Sequence, residues 1–244
     1  MAGIDENTKL ILHCNGVDES TDFPDSSDSE HVVTAHGDAQ IDTDITDPWG
    51  GNDGVAKFDG TGDYLSIPDS SDWAFGMSAF TIDFWVRFTY LPVECKFFSQ
   101  RTTPIASNSN YLYWNNNTFS VATYSDGWTP GLSFNASWTP TIETWYHVAL
   151  VRVDTSNSAS GWRLFVNGQA LSLTLVGGAW NNAWVDLGAD FIIGGQQGQQ
   201  CVPGYIDEFR ISNVARWTLN FTPPTEPYTE EYGIITSSQA IIIF

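Results

Sequence analysis

A carboxylate interrupts the most regular apolar segment near the end of the chain, residues 204–212. Alternation with a period of two predicts a β-strand there, and strict alternation places Asp207 on the face where core side chains are expected. That face also carries Tyr205, Phe209 and Ile211, whereas the opposite face carries Ile206, Glu208 and Arg210. Burying an unpaired carboxylate costs several kcal/mol, so a cation, a metal ion or several N–H donors must compensate for it. Asp207 is therefore a candidate metal ligand or a hydrogen-bonded anchor of the sheet.

Aromatic rings and side-chain amides occur together in residues 111–117 and 180–184, and a further tryptophan stands at position 128. An aromatic ring can stack on the C–H face of a sugar, and an asparagine amide can bond sugar hydroxyls. We therefore predict a carbohydrate-binding surface, with a place in the core as the alternative for each tryptophan. The predicted ligand-binding residues are Tyr113, Trp114, Asn115, Asn116, Trp128, Trp180 and Trp184.

The histidines and cysteines show no spacing typical of a zinc site or of a catalytic nucleophile. His147 lies in an apolar segment, which indicates a hydrogen-bonded core histidine rather than a catalytic base. The cysteines are odd in number and far apart, so we expect free buried thiols, with one disulfide as the alternative. They are Cys14, Cys95 and Cys201.

The chain of 244 residues carries 29 acidic and 9 basic side chains, which gives a net charge of −20. Such a field repels nucleic acid and anionic lipid and favours divalent cations, although solubility in salty surroundings explains it equally well. No apolar run approaches the roughly 20 residues of a membrane span. The first residues lack the basic start and apolar core of a secretory signal. We therefore expect no nucleic-acid partner and no membrane attachment.

Period-two alternation recurs along the chain, whereas the 3.6-residue period of an amphipathic helix is nearly absent. The alternation is clear in residues 80–88, 145–153 and 162–166, and Gly, Asn and Asp in turn-forming pairs separate such runs. The dipeptide Asn167-Gly168 favours a type I′ hairpin turn, because both residues tolerate a positive φ. Many short strands spaced by turns predict an all-β sandwich of two antiparallel sheets.

The alternation ends at Pro223 and Pro224, because proline cannot donate to a β-ladder. We therefore predict one domain over residues 1–228 and a C-terminal arm over residues 229–244. The apolar tip of this arm is prone to aggregation when exposed, so it should be hidden against its own sheet or against a neighbouring subunit. The tip residues are Ile241, Ile242, Ile243 and Phe244.

Several segments resemble a known family in their sequence and in their order along the chain: residues 9–16, 56–67, 80–88, 145–153, 165–168 and 204–217. Together they resemble the laminin-G-like branch of the concanavalin A-like lectin/glucanase superfamily. The resemblance is strongest to the variant common in phage and environmental bacterial proteins, and it covers nearly the whole chain. It implies a jelly roll of two stacked antiparallel sheets.

The resemblance also implies a structural calcium ion. In the family the aspartate of the last strand, here Asp207, coordinates the ion together with backbone carbonyls near the first strand and near the Phe-Asp-Gly turn. Calcium takes six to eight oxygen ligands, and this chain offers them from Asp207, Asn15, Asp59 and Asp63. The alternative is that Asp207 accepts backbone N–H bonds, while Asp59 and Asp63 are ordinary turn residues.

The sequence as a whole predicts a non-enzymatic binding and assembly module. Its expected setting is the surface of a virus particle, as a phage tail or capsid decoration that is assembled in the host cytoplasm and contacts a neutral host-surface glycan. One alternative is a purely structural virion or appendage subunit without a glycan ligand. Glycan hydrolysis is disfavoured, because the chain lacks the run of paired acids, Glu-x-Asp-x-Glu or Glu-x-Asp-x-x-Glu, that the family's glucanases carry.

Overall fold

The structure, a computed structural model, describes residues 3–102, 108–125 and 129–230. These residues form sixteen β-strands and two short 3₁₀ helices, Ser71–Trp73 and Ala159–Gly161. The described strands make two antiparallel sheets of eight strands each. In spatial order the first sheet contains β13 (Gln169–Ala170), β12 (Trp162–Val166), β11 (Trp145–Arg152), β6 (Phe80–Phe88), β16 (Pro203–Ser212), β4 (Val55–Asp59) and β3 (Gln40–Asp42), with β1 (Thr8–Leu12) also paired to β16. The second contains β14 (Thr174–Gly178), β10 (Pro130–Ser137), β9 (Thr118–Tyr124), β8 (Ser109–Asn115), β7 (Glu94–Arg101), β15 (Phe191–Ile193), β5 (Tyr64–Ile67) and β2 (Thr34–His36).

Aromatic side chains join the two sheets. On β6 three of the five inward positions are phenylalanines. One of these, Phe84, packs against Phe97 of the second sheet with ring centroids 5.3 Å apart. Phe84 also stacks on Phe209 of β16 at 5.5 Å. Because the two layers share one continuous apolar core, the predicted all-β sandwich of antiparallel sheets is confirmed.

The first and last strands of the described chain lie side by side. Strand β1 pairs antiparallel with β16, with Thr8 opposite Ser212 and Leu12 opposite Phe209. The chain therefore closes on itself at the strand that carries Asp207, and the exit of β1 lies beside this carboxylate.

A β-bulge changes the direction of the side chains in β16. Asp207 lies opposite Trp85, whereas Arg210 lies opposite Asp83, so three steps on β16 match two steps on β6. Glu208 is the extra residue, with φ at +48°, and its N–H donates to Oδ1 of Asp207 at 2.9 Å. An inserted residue of this kind shifts every later side chain to the other face.

The bulge corrects the two faces predicted by strict alternation. Ile206, Phe209 and Ile211 all belong to the core cluster, although alternation placed Ile206 on the opposite face from the other two. Asp207 and Arg210 are instead on the outer face of the first sheet, yet both are buried. Asp207 therefore does not occupy a position between the sheets.

The Asn167-Gly168 turn is confirmed as the hairpin between β12 and β13. Val166 pairs with Gln169, and the two turn residues have φ angles of +48° and +72°. A side chain at Gly168 would also collide with the carbonyl oxygen of Phe221, so glycine is required for two independent reasons.

Residues 213–228, here called the C-terminal cover, lie across the outer face of the first sheet. Trp217 stacks on Phe221 at 4.2 Å, and both rings meet His147 of β11 edge-on. Phe221 also contacts Phe165 of β12 at 5.1 Å. These contacts form a second small apolar cluster, which explains why polar side chains of this sheet face are buried.

A buried ionic network lies under the C-terminal cover. Arg210 pairs with Asp83 at 3.1 Å, and the Tyr228 hydroxyl donates to the same carboxylate at 2.6 Å. The guanidinium lies 3.7 Å from the Tyr228 ring centroid. His147 Nε2 is 3.4 Å from Asp83, as expected for a core histidine. The network ties β6, β11 and β16 to the cover.

The start of the predicted C-terminal arm is attached to the beginning of the chain. The N–H of Ile4 donates to the carbonyl of Thr229 at 2.9 Å, and Ile4 bridges in parallel to Glu230. The apolar tip, residues 241–244, lies outside the described residues, as does Trp128.

Candidate functional site

The outer face of the second sheet presents a group of tyrosines. Along β8, Tyr111 and Tyr113 point outward and alternate with Leu112 and Trp114, which are buried. Tyr111 meets Tyr113 edge-on at 5.8 Å and stacks with Tyr124 of β9 at 6.2 Å. We call the surface formed by Tyr111, Tyr113, Tyr124 and Lys96 the tyrosine face.

Lys96 of β7 is the centre of the tyrosine face. Its Nζ is near the rings of Tyr111 and Tyr113, at 5.3 and 6.0 Å from their centroids. The same ammonium donates to Oε1 of Gln196 and to Oε1 of Gln200. Burial lowers the pKa of Lys96 to about 8, because removal from water penalises the charged form. The charge of Arg101 adds to this effect, and that of Glu94 opposes it.

Glu94 closes the polar network around Lys96. Its Oε1 accepts from Nε2 of Gln200 at 2.5 Å, and its Oε2 accepts from Nδ2 of Asn115 at 3.2 Å. Asn116 donates to Oδ1 of Asn115 at 2.8 Å. Two of the predicted ligand-binding asparagines thus lie at the edge of the tyrosine face, next to Tyr113.

Residues 196–200 form a tight loop that carries the two glutamines. Gln196 and Gln199 form a β-bridge, in which the N–H of Gln196 donates to the carbonyl of Gln199 at 2.8 Å. Gln197, Gly198 and Gln200 all have a positive φ, between +48° and +79°. This backbone brings both glutamine side chains back over β7, where they form a wall of the tyrosine face.

A polar cavity of about 390 Å³ lies farther along the same sheet, at β9, β10 and the segment before β14. Asn135 belongs to its lining and accepts from Ser120 of β9 at 2.8 Å. Amide, hydroxyl and phenol groups therefore line this sheet face from β7 to β10. Such groups can stack on sugar rings and bond sugar hydroxyls.

Two of the predicted sugar-stacking tryptophans belong to the core. Trp114 and Trp184 are 2% and 1% exposed, so neither ring has a face open to a ligand, and the prediction is wrong for both. Trp114 donates from Nε1 to the carbonyl of Trp138 at 3.1 Å. Trp180 is half-buried against Phe134, with ring centroids 5.4 Å apart, and stays a prediction.

Two of the predicted calcium ligands hold a turn instead. Asp63 is buried and accepts from the N–H groups of Asp38 at 2.6 Å and of Asp59 at 2.8 Å. Asp59 accepts from the N–H of Thr61 at 2.6 Å. These contacts correspond to the turn role that the sequence left open for both residues.

The other two predicted ligands lie at the opposite end of β4. Asn15 follows Cys14, whose pKa is raised by burial and then by the charges of Asp207 and Glu208. The end of β1 is therefore beside Asp207. Asp59 is at the far end of the five-residue strand β4. At 3.3 Å per residue this end is about 13 Å from the end beside Asp207. One ion therefore cannot bind all four residues.

The Asp207 end retains features of an oxygen-ligand site. Burial, followed by the charge of Glu208, raises the pKa of Asp207 well above its ordinary value, and Asp47 and Asp53 add to the effect. The carbonyl of Cys14 lies close to Gly54, where a side chain would approach it to 2.8 Å. Acidic groups near Asp207 thus act on its pKa, although no cluster of three or more His, Cys, Asp or Glu arranged for a metal occurs in the described residues.

The three cysteines are free and buried, as predicted. No helix within the described part of the chain is long and apolar enough to cross a membrane.

The sequence pattern did not single out Tyr124 or Lys96. Their signal is the alternation within β8, which separates outward tyrosines from inward leucine and tryptophan. It identifies the face, but the partners come from β7, β9 and a loop distant in sequence.

A family model of the laminin G type, described as the concanavalin A-like lectin/glucanases superfamily, matches residues 59–217. The match covers more than half of the 244 residues. The chain therefore belongs to this superfamily, and the resemblance found in the sequence is confirmed. No curated protein sequence shows significant similarity to the chain.

Solved structures share the fold at low sequence identity. Domain 4 of the extracellular arabinanase AbnA from Geobacillus stearothermophilus, in complex with arabinotriose, has a TM-score of 0.59 and 19% identity over 87% of this chain and 96% of that one. The binding domain of Paraclostridial Mosquitocidal Protein 1 has a TM-score of 0.59 and 14% identity, over 87% of this chain and 50% of that one. A botulinum neurotoxin type C structure, whose cell entry depends on two ganglioside molecules, has a TM-score of 0.58 and 14% identity over 87% and 49%. The chain thus spans about half the length of the toxin chains.

Proposed function

We propose that the chain is a non-enzymatic carbohydrate-binding module whose ligand binds the tyrosine face. The observation that carries the proposal is the grouping of Tyr111, Tyr113 and Tyr124, all partly exposed, with side-chain amides on the outer face of the second sheet. Support also comes from similar structures that contain arabinotriose or depend on gangliosides.

A neutral glycan is the class of ligand that suits this protein best. The net charge of −20 repels polyanions, and a neutral sugar escapes that field. Hydrolysis of a glycoside requires two carboxylic groups about 5–10 Å apart. The tyrosine face has Glu94 beside it, and both oxygens of this carboxylate already accept hydrogen bonds. We therefore propose binding without hydrolysis.

The proposal predicts the effect of removing one aromatic ring. Tyr113→Ala is expected to weaken glycan binding about five- to tenfold, because one ring contributes about 1–1.5 kcal/mol of contact energy. Hits from an array of neutral glycans would be measured by titration calorimetry. The matched control is Tyr90→Ala, which removes a tyrosine that is 49% exposed and lies away from the face. Equal affinity of the Tyr113 and Tyr90 variants would contradict the proposed site.

We propose the surface of a virus particle as the setting, where the module contacts host carbohydrate as part of a phage tail or capsid decoration. The sequence resemblance to modules common in phage proteins supports this setting. Cryo-electron microscopy of the assembled particle with an antibody against the chain would test it, and absence of the chain from purified particles would overturn it.

A second candidate function is purely structural assembly. Strand β14 is at the edge of the second sheet, and it exposes Leu175 by 37% and Val176 by 62%. An exposed apolar edge strand is a template for pairing with another chain. In this alternative a neighbouring subunit pairs with β14 or receives the apolar tip at residues 241–244. Light scattering of Val176→Lys, which should lose its oligomer, distinguishes assembly from glycan binding.

We also propose that a structural calcium ion binds at the Asp207 end of β4, without Asp59 and Asp63. Millimolar calcium is then expected to stabilise the wild-type protein, by about 2.7 kcal/mol at 100 times Kd. Asp207→Asn should lose this increase, because it removes the buried carboxylate. Differential scanning calorimetry with calcium and with a chelator measures the stabilisation of the wild-type protein and its loss in Asp207→Asn. Asp59→Asn is the control and should keep the full calcium effect, and an unchanged wild-type melting temperature would refute the site.

A further inference from the structure

An amine and a carboxamide carbon lie next to each other at the centre of the tyrosine face. Lys96 is 7% exposed, and its Nζ contacts Oε1 of Gln200 and Oε1 of Gln196. A carbonyl oxygen is about 1.23 Å from its carbon, so the hydrogen bond places Nζ within roughly 4 Å of Cδ. Reacting atoms held about 3–3.5 Å apart are in a near-attack arrangement.

A carboxylate contacts the nitrogen that would leave. Nε2 of Gln200 donates to Oε1 of Glu94 at 2.5 Å, and Asn115 fixes the other oxygen of Glu94. Glu94 is therefore placed to move a proton to that nitrogen. Oε1 of Gln196 also accepts from this amine. The nitrogen that donates to Glu94, however, is Nε2 of Gln200.

The environment of Lys96 favours its neutral, nucleophilic form. Burial, with a further contribution from the charge of Arg101, lowers the pKa of Lys96 to about 8. At mildly alkaline pH a large fraction of this amine is thus unprotonated. Lys96 is buried, with the rings of Tyr111 and Tyr113 beside its Nζ, and limited access of water disfavours hydrolysis of the glutamine amide.

We propose that Lys96 and Gln200 form an intramolecular isopeptide bond. The Nζ lone pair of the neutral amine attacks Cδ, and a C–N bond forms. Glu94 takes the proton released by Nζ and delivers it to Nε2. The Cδ–Nε2 bond then breaks, and one molecule of ammonia leaves. The overall step exchanges one amide for another, so it needs no oxidant, reductant or further reactant.

The bond would join β7 covalently to the loop of residues 196–200. This loop carries the wall of the tyrosine face, and its fixation would hold both glutamine positions against β7. The cross-link is independent of any glycan ligand, so its test does not depend on the proposed function.

Mass spectrometry of the intact protein tests the proposal. The wild-type chain, incubated at pH 8.5, is expected to be lighter than its sequence mass by one molecule of ammonia. Proteolysis should then yield a branched peptide that contains both Lys96 and Gln200. Ammonia is also lost when an Asn-Gly pair forms a succinimide, and Asn15-Gly16 and Asn167-Gly168 are such pairs, so the branched peptide is the decisive readout.

Matched variants separate the two glutamines and the carboxylate. Gln200→Ala, Lys96→Arg and Glu94→Gln should keep the full sequence mass at this site, whereas Gln196→Ala should still lose ammonia. Circular dichroism establishes that each variant is folded. An unchanged wild-type mass, a loss located only at Asn15 or Asn167, or a cross-link that persists in Gln200→Ala would overturn the proposal.

Discussion

Replacing Arg210 with methionine is expected to lower the free energy of unfolding by about 3–5 kcal/mol, because removal of one partner leaves a buried charge without its counterion. Arg210 and Asp83 are both fully buried, with the guanidinium 3.1 Å from the carboxylate. The variant also loses the contact between the guanidinium and the Tyr228 ring. Urea unfolding followed by tryptophan fluorescence measures the change.

The matched control is the double variant Arg210→Met/Asp83→Leu. It removes both charges, and replacement of a whole buried ion pair by apolar residues is often close to neutral. We therefore expect the double variant to recover most of the stability that the single variant loses. A double variant less stable than the single one would show that the loss arises from packing rather than from an unpaired charge.

The same pair determines how stability depends on pH. Burial by itself raises the pKa of Asp83, but the charge of Arg210 and the hydrogen bonds from His147 and Tyr228 outweigh it, and the pKa is lowered. A lowered folded-state pKa adds stability above the unfolded pKa of about 3.9, and this stability is lost as the pH falls below that value. The double variant lacks this carboxylate, so it should not show this loss of stability at low pH.

Trp114→Ala is expected to lower the free energy of unfolding by about 3–5 kcal/mol, as for other buried aromatic residues. The ring fills the core beside Phe88 at 6.0 Å, and its Nε1 bonds the carbonyl of Trp138. The neighbouring Tyr113 points outward on the same strand. Tyr113→Ala should therefore cost much less stability while it weakens glycan binding. Thermal unfolding and calorimetric titration of both variants measure the two effects separately.

The two substitutions thus test the orientation of β8. If Trp114→Ala were fully stable but unable to bind, the ring would have to be on the surface, and the tyrosine face would be wrongly assigned. The variant Trp114→Phe is a milder control, since it keeps an aromatic ring in the core and should retain both fold and binding.

The sandwich was predictable because its signals are local. Strands β6, β11 and β12 alternate cleanly, and the Asn167-Gly168 pair can adopt the positive φ angles that its hairpin requires. The family resemblance added the jelly-roll arrangement, which the pairing of β1 with β16 bears out.

The faces of β16 were not predictable, since an inserted residue leaves no trace in composition. Glu208 takes a positive φ although it is not glycine, and the bulge reverses the alternation on one side of it. Strict alternation therefore placed Asp207 in the core between the sheets, where the structure has Ile206 and Phe209.

The candidate site was only half predictable, for a reason of sequence distance. Tyr113, Asn115 and Asn116 are adjacent in the chain and were identified together. Lys96 and Gln200, by contrast, are separated by 104 residues, and only the pairing of strands brings them together. The tryptophans were misleading because a large aromatic ring serves a core as well as a ligand.

Trp217 and Phe221 of the C-terminal cover lie over the outer face of the first sheet, whereas the tyrosine face lies on the outer face of the second. Under the proposed function one molecule presents its glycan site on one side only, and strength then comes from repetition. Displayed in many copies on a common support, all turned the same way, such modules can hold a surface roughly 10²–10⁴ times more tightly than one copy does.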